Sequence, residues 1–253
     1  MKADDVMAEL TSGRGRTRRL DLAYGLLVLL SVGLIPLGPF AGLGLVRMAP
    51  TVVLGLLALR PTRAGFGPTI AAGLLLGAAG DYFLNTFDPN LGVYGVLAFL
   101  LGHACYIVGL RRAGWAHTPA RRGLVFGLAA CGLAYAAIIA WINPRQPVSA
   151  IAWMHLHPAP QMLPVAPALL LYMPFLISMA SVAVLRRGSR LLTAGALIFV
   201  VSDAMIPLNH FLLPRAHPGD FYASAALLYP GFITYYLAQY LIARGAMAEA
   251  VTD

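Results

Sequence analysis

Long apolar runs alternate with short polar connections along the whole chain, and the runs lack the period-2 alternation of lipid-facing strands. Eight can be drawn: about Leu20 to Gly38, Leu43 to Leu59, Gly67 to Leu84, Leu91 to Leu110, Gly123 to Trp141, Leu163 to Leu185, Leu191 to Leu213 and Phe221 to Ala243. Most approach the roughly 20 residues a helix needs to cross a bilayer. A bilayer interior offers backbone groups no water, so only helices and closed barrels span it, and continuous apolar runs of this length select helices. The pattern predicts an all-α polytopic membrane protein, with eight transmembrane helices in one bundle over residues 20–244. Residues 1–19 read as a basic cytoplasmic leader and 245–253 as a cytoplasmic tail. No small-residue cleavage site follows the first run, which therefore reads as a retained helix.

Composition agrees: 59% of residues are hydrophobic, 11% are charged and the mean hydropathy is +0.75, outside the range of ordinary soluble domains. The formal charge of +8 forms no nucleic-acid patch, because the basic residues lie in short connections. With the amino terminus inside, only Arg47, Arg145 and Arg215 of the 18 Lys and Arg residues fall on the outer side. That asymmetry follows the positive-inside rule and needs an even number of spans, with both termini cytoplasmic. The Arg-rich connections and Ala/Gly/Leu-rich runs suggest a bacterial inner membrane. Cys105 and Cys131 fall inside spans and read as small packing residues.

The longest connection, INPRQPVSAIAWMHLHPAPQM from Ile142 to Met162, is expected to lie on the membrane surface or fold over a cavity. Its His155 and His157 have no third ligand close in sequence, so they read as an interfacial patch instead of a metal site.

Candidate chemistry centres on Asp81 and Asp203, each deep inside an apolar run. A carboxylate near a bilayer centre costs about 2.5–3.5 kcal/mol on insertion scales, so it faces a partner, a cavity or a substrate. Each follows a small or hydroxyl residue, Gly80 or Ser202, and each run meets an asparagine farther on, Asn85 or Asn209. The two settings echo one another. Asn85 lies one turn beyond Asp81 and would donate its amide toward the carboxylate's ligand. His210 returns to the Asp203 face, and Pro207 would kink that helix. His103 and Tyr106 share a face of the fourth span, while Tyr229, Phe232, Tyr236 and Gln239 form a stripe along the last.

The ordered segments GAAGDYFLN, LAFLLGHACYIVGL, LPVAPALLLYMPFLISM, GALIFVVSDAMIPLNHF and TYYLAQYLIARG resemble the hallmark stretches of the YhhN-like lysoplasmalogenase family of membrane hydrolases. The resemblance implies an eight-span enzyme that cleaves the vinyl ether bond of lysoplasmalogens to a fatty aldehyde and glycerophosphoethanolamine or glycerophosphocholine. It implies that Asp81 and Asp203 are the essential carboxyls, and that His103, Tyr172, Tyr236 and Gln239 match family positions. Where relatives often begin the second span with Lys-Pro, this chain reads Arg47-Met48-Ala49-Pro50, so the basic group is displaced.

Vinyl ether hydrolysis needs an acid to protonate carbon and an anion to stabilise the oxocarbenium ion that follows. The expectation is that the two carboxyls meet, share one ionisable hydrogen and divide these roles, as paired carboxylates do in glycoside hydrolysis. Asn85, His103, Tyr106, Tyr172, Ser202, Asn209, Tyr236 and Gln239 would line the substrate site. The scheme calls on no metal or other cofactor, and its partners are a lysophospholipid and membrane lipids. Two rival readings use the same groups: a zinc-dependent hydrolase with His103, His210, Asp81 and Asp203 as ligands, or a proton-coupled transporter.

Overall fold

The computed structural model describes residues 19–37, 40–59, 67–86, 91–112, 114–142, 165–208 and 225–252. Among them the chain forms eight α-helices and no strand. They are α1 (19–33), α2 (Leu43–Ala58), α3 (Gly67–Leu84), α4 (Gly92–Leu110), α5 (Pro119–Ile142), α6 (Val165–Leu185), α7 (Arg190–Pro207) and α8 (Ala225–Thr252), with a 3-10 turn at Ile35–Leu37. The helices match the eight apolar runs in number and order. Residues 245–252, read from the sequence as a tail, continue α8, and Pro207 ends α7 instead of kinking it.

Arg19–Leu37, Gly92–Leu110 and Pro119–Ile139 are long and apolar enough to cross a membrane unaided. Their outward faces carry Leu26, Leu29, Leu101, Phe126 and Leu133, with Phe126 74% exposed. Aqueous surfaces do not tolerate so much contiguous apolar area, so the molecule is a membrane protein.

The closest packing joins α7 to α8, α3 to α4 and α2 to α3, while α8 also touches α2 and α3. α3 and α8 therefore form the heart of the bundle. Glycines on α3 make this possible: a Cβ at Gly73 would stand 2.4 Å from the Tyr106 ring, one at Gly80 2.5 Å from the Phe99 ring, and one at Gly77 3.0 Å from Gln239 Nε2. Small residues let helix backbones approach within lipid, where packing supplies the attraction that water supplies elsewhere. Here they admit the large polar and aromatic side chains of α4 and α8.

At the end of the bundle away from Asp81, the α4–α5 and α6–α7 connections pair across an isolated bridge between Trp115 and Arg186. Arg186 grips Glu249 of α8 through two bonds of 2.7 and 2.5 Å, and Glu249 also accepts from the Ser189 amide. This clamp fixes the register of α8 against α6 and α7.

Candidate active site

Asp81 lies three residues before the end of α3 and Asp203 four before the end of α7. Both are buried, at 5% and 7% exposure. Such groups persist in an apolar bundle only when other helices bring them hydrogen-bond donors.

Each carboxyl receives a phenol from a different helix. Tyr235 of α8 donates to Asp81 Oδ2 at 2.7 Å, and Thr51 of α2 donates to the same oxygen at 3.4 Å. Tyr235 in turn accepts from Gln239 Nε2 at 3.2 Å, while Gln239 Oε1 accepts from Tyr106 at 2.6 Å. A continuous chain of donors therefore runs from Tyr106 through Gln239 and Tyr235 to Asp81. At the other carboxyl, Tyr172 of α6 donates to Asp203 Oδ2. Among the described residues neither Oδ1 has a hydrogen-bond partner, so each carboxyl has one oxygen without a protein donor.

His103 stands beside Asp203, with Nε2 3.9 Å from Oδ2. Its Nδ1 lies 2.7 Å from the Phe99 carbonyl oxygen, which only accepts, so Nδ1 carries a hydrogen. In the neutral ring Nε2 is then a lone-pair acceptor, and it is buried without a hydrogen-bond partner. The imidazole is wedged edge-on between Tyr172 and Phe199, at centroid distances of 5.3 and 5.1 Å.

Phe199 also packs edge-on against Tyr235, at 5.6 Å. It sits one turn before Asp203 on α7 and divides the site into an Asp81–Tyr235 side and an Asp203–His103–Tyr172 side. The two carboxyls lie within electrostatic reach, yet they are not hydrogen-bonded to each other. Each acid has its own phenol, Tyr235 for Asp81 and Tyr172 for Asp203.

The sequence model of the YhhN family matches residues 44–246, which contain every side chain named in this site. The chain belongs to the YhhN family. Two proteins named lysoplasmalogenase, from Mycobacterium bovis and Mycobacterium tuberculosis, are each 32% identical to it over 174 residues. That stretch covers 68% of this chain and 58% of each relative. No solved structure matches the chain at a significant level.

Several sequence-chosen residues in this YhhN-family bundle bond to backbone. Asn85 donates to the backbone carbonyl of Asp81 at 2.7 Å, closing its own helix end. Ser202 donates to the Gly231 carbonyl at 3.1 Å and ties α7 to α8. Tyr236 donates to the Arg47 carbonyl at 2.9 Å and faces Ser31 Oγ at 2.6 Å, so the phenol at the carboxylate is its neighbour Tyr235. Consecutive residues on a helix point about 100° apart, which is why the stripe through Tyr229, Phe232 and Tyr236 missed it. The i, i+4 pairing of Tyr235 with Gln239 was a signal that would have found it. Tyr106 and Gln239 belong to the donor chain that ends on Asp81, while His103 and Tyr172 stand beside Asp203. Asn209, His210, His155 and His157 lie outside the described residues, among which no three His, Cys, Asp or Glu side chains converge as a metal site needs.

Arg47, counted from the sequence among the charges on the outer side, is 1% exposed within α2. Thr51 lies one turn farther on the same helix face. The cue for both was a single arginine inside an otherwise apolar run.

Proposed function

We propose that this protein is a lysoplasmalogenase, hydrolysing the vinyl ether bond of a lysoplasmalogen to a fatty aldehyde and a glycerophosphodiester. The observation that carries the reading is the pair of buried carboxyls, each oriented by a tyrosine on one oxygen and open on the other. Family membership and the named mycobacterial relatives support the same substrate class.

The lipid would lie between the Asp81 and Asp203 sides with its double bond over Phe199. One carboxyl delivers a proton to the alkenyl carbon β to the ether oxygen, the double-bond electrons form the new C–H bond, and an oxocarbenium ion results. The other carboxylate stabilises that cation at short range, where low dielectric strengthens the attraction. Water adds to the cationic carbon and gives up its proton to a basic group of the site, and the hemiacetal collapses to aldehyde and glycerol hydroxyl. His103 Nε2 is placed to hold this water beside Asp203. The supporting scaffold is a bundle of eight spans with both termini on the cytoplasmic face of a bacterial plasma membrane, entered laterally by the acyl-like chain.

The test is aldehyde release from a lysoplasmalogen by the purified protein in detergent micelles. Release without any ion gradient supports the enzyme over a proton-coupled carrier; its absence from folded protein refutes the reading. Activity that collapses on chelation and returns with zinc would replace the carboxyl mechanism by a metal one.

A further inference from the structure

Arg47 is a buried cation without a carboxylate contact. Its Nε has no hydrogen-bond partner, and among the described residues no acidic oxygen lies within 4.0 Å of its nitrogens. A guanidinium stays charged in any protein environment and presents five N–H donors in a planar fork. Its side-chain contacts are a bond of 3.4 Å to Ser31 Oγ and one to the Tyr236 phenol, and neither uses Nε. The Cζ rests 3.9 Å from the centroid of the Phe232 ring, which supports the flat face of the guanidinium.

A simple counter-ion for Asp81 would close to contact. Instead the guanidinium acts on that carboxyl only at a distance, while Thr51, one turn along α2, makes the direct bond. Ser31 and Tyr236 hold the α2 backbone here: Tyr236 donates to the Arg47 carbonyl, and the Ser31 hydroxyl hydrogen goes to Tyr236, leaving the serine oxygen to accept from the guanidinium. One face of α2 thus presents a buried guanidinium with an unspent Nε donor and, about 5.4 Å farther along, the residue that touches the reactive carboxyl. A lysophospholipid has the same order, an anionic phosphate separated by a glycerol unit from the ether carbon.

We infer that Arg47 binds the phosphate of the lipid headgroup and sets the register of the vinyl ether over Asp81 and Asp203; this rests on the lysoplasmalogenase reading above. Arginine forks favour phosphate because two parallel N–H···O bonds form at once.

Two measurements on the detergent-purified full chain test it. The first compares kcat/KM for aldehyde release from a lysoplasmalogen and from a 1-alkenylglycerol that lacks the phosphate. Wild type should prefer the phospholipid by about 10-fold or more, the usual worth of a charge-assisted contact, and Arg47→Met should collapse that preference through KM, with Arg47→Lys between them. An undiminished preference in Arg47→Met overturns the assignment. The second measures binding of a saturated lyso-ether phospholipid, which cannot be hydrolysed, and of the matching alkylglycerol. Arg47→Met should weaken the phospholipid about 10-fold and the alkylglycerol much less; equal losses for both lipids assign Arg47 a purely structural role. Displacement of the lipid by inorganic phosphate at equal concentration would give the site to a free anion and overturn the headgroup reading. If wild type binds selectively but releases no aldehyde, the phosphate site stands and the hydrolase reading falls. Aldehyde release with no Arg47-dependent selectivity gives the reverse.

Discussion

Tyr235 on α8 donates to Asp81 on α3 at 2.7 Å, across 154 positions of sequence. The bond orients one oxygen of a buried acid and links it to Gln239 and Tyr106 behind. Tyr235→Phe should cut aldehyde release about 10-fold and stability by about 1–3 kcal/mol, because Asp81 loses its donor and Gln239 its acceptor. Tyr236→Phe, which breaks contacts to Ser31 and a backbone carbonyl, should lower activity less. Steady-state rates and thermal unfolding in detergent compare the two; a larger activity loss at Tyr236 contradicts the site drawn here.

Asp81→Asn and Asp203→Asn keep size and hydrogen-bonding shape while removing the exchangeable acid. Each should reduce kcat by about 100-fold or more, the range of general acid–base catalysis, with helicity retained. Near-wild-type turnover in either folded variant removes the two-carboxyl mechanism.

His103→Phe preserves a ring between Tyr172 and Phe199 and deletes the Nε2 lone pair. On the proposed mechanism its effect should fall on kcat, about 10- to 100-fold, with KM little changed, because that nitrogen would hold water and not lipid. A loss confined to KM would place His103 against the substrate chain instead.

Gly73→Ala forces a methyl into the Tyr106 ring at 2.4 Å, whereas Gly123→Ala on α5 has nothing within 4 Å. The first should destabilise the bundle by about 1–3 kcal/mol through overpacking, and the second should be neutral or gain up to about 1 kcal/mol. Thermal unfolding of the pair checks this; equal stability would mean that α3 and α4 pack less closely than described.

How much was legible beforehand follows from which interactions are local. The eight helices could be read because each is a long apolar run, and such a run is written in consecutive residues. Asp81 and Asp203 could be read because a charge inside an apolar run is anomalous without reference to any other residue. Tyr172, Gln239, Tyr106 and His103 could be named, through their polarity and the family resemblance, but their partners could not.

Partners are a property of facing helices. Nothing in TYYLAQY distinguishes the tyrosine that reaches Asp81 from the one that caps the Arg47 carbonyl; the rotation of α8 decides, and α3 glycines together with the Glu249–Arg186 clamp set that rotation. The same holds for Phe199, whose place between the two acid sides depends on how α7 packs against α4 and α8. Sequence alone determined that this chain lives in a membrane as helices and carries two costly acids there, since hydrophobic length and buried charge are counted along the chain. Only the tertiary structure decided that each acid has its own phenol and that Arg47 is buried, because side-chain pairing depends on helix rotation and close approach that no local pattern records.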